Sequence, residues 1–68
     1  MKKRTGMTKK IRECAEVILY WKKNPDKFGA ESSRKVFEKA LHAHLEYVKE
    51  KGEEIHPDVM KMAERALA

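Results

Sequence analysis

Prolines and glycines divide the chain into three segments, and each segment repeats its apolar residues at helical spacing. Asn24-Pro25 ends the first segment, because the residue before a proline avoids the α region. Gly52 ends the second, since glycine readily adopts the left-handed conformation that closes a helix. Pro57 suits the first turn of the third segment, where a missing N–H is tolerated. No segment alternates like a β-strand. The sequence therefore predicts an all-α fold, a small three-helix bundle with a long central helix.

The predicted helices cover residues 8–23, 30–51 and 57–67 of a single domain that spans residues 8–68. Residues 1–7 precede the helical pattern and are predicted to form a flexible basic arm. The first helix has a broad apolar side that consists of Ile11, Cys14, Ala15, Val17, Ile18, Leu19 and Trp21. The third has a narrower apolar stripe made of Val59, Met62, Ala63, Ala66 and Leu67.

The central helix has two adjoining apolar stripes. One contains Phe37, Leu41, His44, Leu45 and Val48, and the other contains Val36, Ala40, Ala43 and Tyr47. A helix with two such stripes needs two neighbours, which the first and third helices can supply within one chain. The apolar arc of the first helix is nevertheless wider than a single contact requires, with Val17 and Trp21 at its margin. The pattern leaves two interpretations open: a three-helix bundle with partly exposed margins, and a homodimer.

Length and cysteine content limit how such a chain is stabilised. A chain of 68 residues forms one domain at most, and this size buries only about 60% of the surface that its unfolded form exposes. The single cysteine, Cys14, allows no disulfide within the chain and fits a reducing compartment. The basic start leads only to the short apolar run 17–21, which is too short for a signal peptide or a membrane span. We therefore expect a cytoplasmic protein.

Charge is distributed unevenly along the chain. Residues 1–27 contain nine Lys or Arg and three acids, whereas residues 28–68 contain seven Lys or Arg and eight acids. A basic end of this kind is typical of a polyanionic partner, and it also fits a solvated tail that keeps a small protein soluble. The residues predicted to contact nucleic acid are Lys2, Lys3, Arg4, Lys9, Lys10, Arg12, Tyr20, Lys22, Lys23 and Lys27.

Local neutralisation of the basic residues weakens this prediction, and the sequence of the third helix limits the kind of contact that is expected. Lys9 and Arg12 each have a glutamate four residues later, which partly neutralises them, and lysines at the end of a helix also stabilise its dipole without any partner. The third helix begins Pro57-Asp58 and has no Asn or Gln for reading base edges. The expected contact is therefore with phosphates and weakly sequence-specific. Tyr20, on the polar side of the first helix, is the candidate for stacking on a base, whereas Trp21 is expected in the core.

Catalytic and metal-binding patterns are missing from the sequence. His42 and His44 lie two residues apart on a helix and point in different directions, so they do not share a metal ion. Cys14 lies on the apolar arc, where burial makes a thiol unreactive. The glycines are widely separated and form no phosphate-binding loop. The sequence predicts no enzyme activity, no metal site and no cofactor.

Residues 47–52 followed by residues 55–62 resemble the hairpin of the small sporulation-regulating aspartyl-phosphate phosphatases. In that family the second helix carries a Ser-Gln-x-Leu-Asp signature. Here the corresponding stretch reads Ala63-Glu64-Arg65-Ala66-Leu67, without the Ser-Gln pair and without the catalytic acid of that pattern. The resemblance covers about a third of the chain and consists of ordinary helix-stop and helix-start residues. No function is carried over from it.

Two functions of different classes remain. The first is a small basic accessory or regulatory protein that binds the phosphate backbone of nucleic acid. The second is a small adaptor or inhibitor that binds another protein through an exposed apolar helix face. The residues predicted for that protein interface are Trp21, Val36, Tyr47 and Met60.

Overall fold

The computed structural model describes residues 6–68, which form three α-helices. Helix α1 spans Gly6–Lys23, helix α2 spans Ala30–Lys51 and helix α3 spans Pro57–Leu67. The predicted all-α class is confirmed. None of the three helices is both long enough and apolar enough to cross a membrane.

Helix α1 begins two residues earlier than the sequence pattern predicted. Gly6 and Met7, assigned to the arm at the sequence level, are helical, and Met7 packs against the core. The apolar side chain of Met7 extends the buried side of α1 by one turn, which favours helix over arm. The predicted arm residues Lys2, Lys3 and Arg4 lie outside the described residues.

The residues predicted to end and begin helices do so. The Asn24 side chain donates a hydrogen bond of 2.8 Å to the carbonyl oxygen of Tyr20 and closes the last turn of α1. Gly29 and Gly52 flank α2, both in the left-handed conformation, with φ of 75° and 66°. At the start of α3, the ring nitrogen Nδ1 of His56 accepts a hydrogen bond of 3.1 Å from the backbone N–H of Asp58. These local contacts satisfy backbone groups that a helix end leaves unpaired.

Helix α1, and not α2, is the helix at the centre of the packing. It contacts both other helices along its length, whereas α2 and α3 scarcely touch. Of the neighbours that could cover the two stripes of α2, the chain supplies α1, and α3 packs on α1 instead. The broad apolar arc of α1 is wide enough to contact two neighbours at once, and its residues Ile11, Ala15 and Ile18 are completely buried between them. The buried core is formed by Ile11, Cys14, Ala15, Ile18, Leu41, Val48, Val59, Ala63 and Ala66.

The first stripe of α2 faces the core, whereas of the second stripe only Ala40 packs against it. Leu41 and Val48 of the first stripe are buried against α1, and Phe37 and Leu45 pack beside them. The second stripe, Val36, Ala40, Ala43 and Tyr47, is called the outer stripe below. Its two large members are exposed, Val36 by 65% and Tyr47 by 45%. A chain with a short third helix placed on α1 has nothing left to cover this side of α2.

Candidate nucleic-acid interface

The turn between α1 and α2 places two aromatic rings and two lysines at one end of the molecule. Asn24 accepts a backbone hydrogen bond of 3.2 Å from Lys27, and Lys27 accepts one of 3.0 Å from Ala30. Gly29 reverses the chain into α2 with its positive φ. Tyr20, Lys23, Lys27 and Phe28 are all exposed here, and they are called the basic aromatic end below.

Tyr20 has a defined geometry in spite of its exposure. Its ring lies edge-on to Trp21, with centroids 5.1 Å apart and planes at 75°. The ammonium group of Lys27 lies 5.4 Å from the ring centroid, within range of a cation–π contact. About half of the Tyr20 side chain, 47%, remains open to solvent. The ring is therefore held in place while one part of it is free to contact a planar ligand.

Phe28 is completely exposed, and sequence reasoning did not identify it. A single aromatic residue between two predicted helices belongs to no periodic pattern, so helical spacing gives no indication of its role. The available signal was chemical: a large apolar ring within a polar turn, directly after Lys27. Burying such a ring is worth about 1.5–3 kcal/mol, so its full exposure leaves that gain available to a partner.

The predicted cations do not all share one face. Lys9, Arg12, Lys23 and the ring of Tyr20 fall within an arc of about 80° on the exposed side of α1, counted at 100° per residue. Glu16 lies within the same arc. Lys9 and Arg12 lie in the first two turns of α1, and Lys23 is the last residue of the helix.

Lys10 and Lys22 are separated from that arc. Lys10 borders a groove of about 470 Å³ on the opposite margin of α1, beside Glu13 and His44. Lys22 is half-buried, and its ammonium group donates a hydrogen bond of 2.8 Å to the carbonyl oxygen of Ala68. Of the predicted cations in residues 6–68, Lys23 and Lys27 are the two that accompany exposed aromatic rings.

Local ion pairing does not neutralise the basic side of α1. The i,i+4 pairs recorded within residues 6–68 lie on α2, where Arg34 approaches Glu38 to 3.6 Å and Lys35 approaches Glu31 to 3.9 Å. In this part of the chain neither Lys9 with Glu13 nor Arg12 with Glu16 forms a comparable pair. Exposed ammonium and guanidinium groups on α1 are therefore open to other anions.

The four residues predicted for a protein interface lie on different helices. Val36 and Tyr47 share the outer stripe of α2. Trp21 is half-buried on α1 under the ring of Tyr20, between the core and the surface. Met60 is half-buried on α3, which scarcely contacts α2. The structure thus brings together only Val36 and Tyr47 of this set.

The remaining candidates for chemistry are occupied in packing. Cys14 is buried, and burial, with a smaller contribution from Glu13, raises the pKa of its thiol above the usual value. His44 is half-buried and lines the same groove as Phe37 and Val17. Within residues 6–68, no three or more His, Cys, Asp or Glu side chains are grouped so that they could hold a metal ion.

Comparison of the chain with protein families, with curated proteins and with solved structures found no match.

Proposed function

We propose that this chain is a small cytoplasmic accessory protein that binds nucleic acid with little sequence specificity, and that its basic aromatic end favours single strands. The observation that supports this best is the pairing of two exposed rings, Tyr20 and Phe28, with two exposed lysines, Lys23 and Lys27. Rings and cations side by side are the chemistry that single-stranded nucleic acid recognises.

The two residue types have different tasks in this proposal. A base that stacks on Tyr20 or Phe28 contributes about 1–3 kcal/mol, and every base has a face on which to stack. Lys23 and Lys27 attract the adjoining phosphates, which carry no sequence information. The site therefore holds a strand without distinguishing its bases.

Duplex nucleic acid fits the same end less well. Its bases are already stacked on one another, so the two rings have no free base face to contact. Groove reading by a helix has little support either, because α3 begins with Pro57 and Asp58, and an acid near the contacting end of a helix repels phosphate. We expect the duplex to bind through the lysines alone, and hence more weakly than a single strand.

The direct test is fluorescence anisotropy of labelled single-stranded DNA, duplex DNA and RNA, titrated with the protein at two salt concentrations. The expected result is binding to single strands in the range of about micromolar Kd, weakened steeply by salt because counterions are released from the strand. The absence of binding at low salt would contradict the proposal and indicate that the basic residues serve solubility.

Variants separate stacking from charge. Tyr20→Ala should weaken single-strand binding by about tenfold, the equivalent of one stacked base, whereas Tyr20→Phe keeps the ring and should bind normally. Phe28→Ala, at a completely exposed position, should act in the same direction with no loss of helicity. Equal binding by Tyr20→Ala and Tyr20→Phe would exclude stacking by this residue.

The lysines are tested by the salt dependence. Replacing both Lys23 and Lys27 by Ala should lower the slope of log K against log salt by about 1.4 on a single strand. Replacing both Lys49 and Lys51 by Ala is the matched control, since it removes the same charge from the last turn of α2, at the opposite end of that helix from the basic aromatic end. A slope that changes as much in the control would show that net charge, and not this site, determines binding. Ala substitution of Lys2, Lys3 and Arg4 measures the share of the N-terminal residues in the same way.

A further inference from the structure

The residues of the outer stripe of α2 are spaced symmetrically about the middle of the stripe. Val36, Ala40, Ala43 and Tyr47 are separated by four, three and four residues, with the small side chains in the middle. The midpoint of the stripe lies halfway between Ala40 and Ala43. If two copies of α2 pack antiparallel with their midpoints aligned, Val36 faces Tyr47 of the second copy. Ala40 then faces Ala43 of the second copy, and the remaining two contacts follow from the twofold symmetry.

We propose that the outer stripe is a homodimer interface in which the α2 helices of two copies pack antiparallel. The stripe repeats every three and four residues, which is the spacing that allows two helices to interlock along a seam. Of the two central alanines, Ala43 is exposed and Ala40 is partly buried beside the core. Their small side chains let the two backbones approach closely, and Val36 and Tyr47 fill the space on either side of them. This interaction is independent of the proposed nucleic-acid site at the basic aromatic end.

Charges along the stripe favour a second copy in the antiparallel direction. Lys39 and Glu46 flank the outer stripe on the same side, about 20° apart around the helix axis. In an antiparallel pair of helices, each flank of one helix lies next to the same flank of the other. Lys39 of one copy therefore faces Glu46 of the other, and this contact occurs twice. Within residues 6–68 neither side chain has an ion-pair partner. A parallel pair would set Glu46 against Lys51 but leave Lys39 facing His44, so only the antiparallel pair gives both Lys39 and Glu46 an opposite charge.

Residues at the two ends of the outer stripe and on its other flank obey the same twofold symmetry. Ser33 and Glu50 lie at equal distances from the midpoint, which places a hydroxyl donor against a carboxylate acceptor at each end of the seam. On the other flank, Phe37 faces His44 of the second copy. Both residues line the groove of about 470 Å³ beside Val17, so the apolar contact widens from α2 towards α1. A chain of this size gains stability from such an added contact surface.

Oligomeric state is the first test, measured by analytical ultracentrifugation across a concentration series. The proposal predicts a reversible monomer–dimer equilibrium for the unaltered chain. Ala43→Glu places a charge at the middle of the seam and should raise the dimer Kd by at least about tenfold, with helicity by circular dichroism unchanged. His42→Glu is the matched control, because it adds the same charge at the neighbouring exposed position outside the stripe. A chain that stays monomeric up to about 1 mM overturns the proposal and leaves this face to a different protein partner.

Charge reversal tests the direction of packing. Lys39→Glu and Glu46→Lys should each raise the dimer Kd by about threefold or more, because each creates two like-charge contacts per dimer. The double variant should restore the original Kd. Weakening that simply adds up in the double variant would contradict the antiparallel pairing.

Disulfide trapping gives an independent answer. In a Cys14→Ala background, Ala40→Cys mixed with Ala43→Cys should form a mixed disulfide on mild oxidation, because these two positions face each other in the antiparallel seam. Each variant alone should cross-link much more slowly. Rapid formation of an Ala40→Cys homodisulfide would indicate a parallel dimer and overturn the proposed geometry.

Discussion

The two apolar stripes of α2 have similar composition and opposite surroundings. The first is anchored by Leu41, which is completely buried, while the second exposes 65% of Val36. The difference arises on α1, whose broad apolar arc contacts both α2 and α3 and so holds α3 away from α2. An apolar stripe shows that a helix needs a neighbour, but the competition among helices decides whether that neighbour is found within the chain.

The largest expected effect comes from truncating one member of each stripe. Leu41→Ala should lower the free energy of unfolding by about 2–5 kcal/mol, because it removes a completely buried side chain and leaves a cavity. Val36→Ala should change it by no more than about 0.5 kcal/mol, since its side chain loses little burial. Urea denaturation followed by circular dichroism, at a concentration that keeps the chain monomeric, measures both. Equal losses would mean that the outer stripe is part of the core.

The alanines of the molecule sharpen the same comparison. Ala66 is completely buried where α3 packs on α1, so Ala66→Leu should cost about 1–3 kcal/mol through overpacking. Ala43 is exposed on the outer stripe, and Ala43→Leu should be tolerated. Thermal unfolding of the two variants, at a concentration that keeps the chain monomeric, provides the measurement. Destabilisation by Ala43→Leu to the same extent would contradict the exposure of this stripe.

Thiol chemistry compares a buried and an exposed position directly. Burial raises the pKa of Cys14, so at neutral pH it should react with a thiol reagent at least about tenfold more slowly than the thiol of Ala43→Cys in a Cys14→Ala background. The ratio should narrow as pH rises, because the exposed thiol ionises first. The free energy of unfolding depends on pH for the same reason. The contribution of protonated Cys14 to stability is complete below the pKa of the thiol in the unfolded chain and is lost as pH rises above that pKa. Equal rates at neutral pH would show that Cys14 is accessible.

The smallest effect concerns the polar side of α2. Arg34 and Glu38 approach to 3.6 Å and are partly shielded from solvent. Glu38→Gln should lower the free energy of unfolding by about 0.3–0.5 kcal/mol, and added salt should reduce this difference. Glu64→Gln, at an exposed position of α3 without an ion-pair partner within residues 6–68, serves as the control in the same denaturation experiment.

Much of the local structure could be predicted from individual residues. Pro25, Gly52 and Pro57 mark helix ends because each restricts or permits a particular backbone geometry, and the helices end and begin beside them. Periodicity also placed Cys14, Leu41 and Val48 on buried faces. The start of α1 at Gly6 was missed by two residues because Met7 joins the core through tertiary contact, which carries no local signal.

The candidate site was only partly predictable. The exposure of Tyr20 followed from its place on the polar side of α1, whereas Phe28 lies in a turn where no period applies. The sequence also grouped Lys22 with Lys23, but the two differ once α3 is in place, since Lys22 donates to the carbonyl oxygen of Ala68. Contacts between segments distant in sequence carry no local signal.

By itself, the sequence determined the number of helices, their approximate limits, the buried sides of α1 and α3 and the excess of basic charge in the first 27 residues. These properties depend on backbone preferences and on a repeat of 3.6 residues, which are local. Only the tertiary structure decided that α1 occupies the centre, that Val36 and Tyr47 of α2 stay exposed and that the ammonium group of Lys27 lies against the ring of Tyr20. Those outcomes depend on which surfaces compete for the same neighbour, and that competition is settled by the packing of the whole chain.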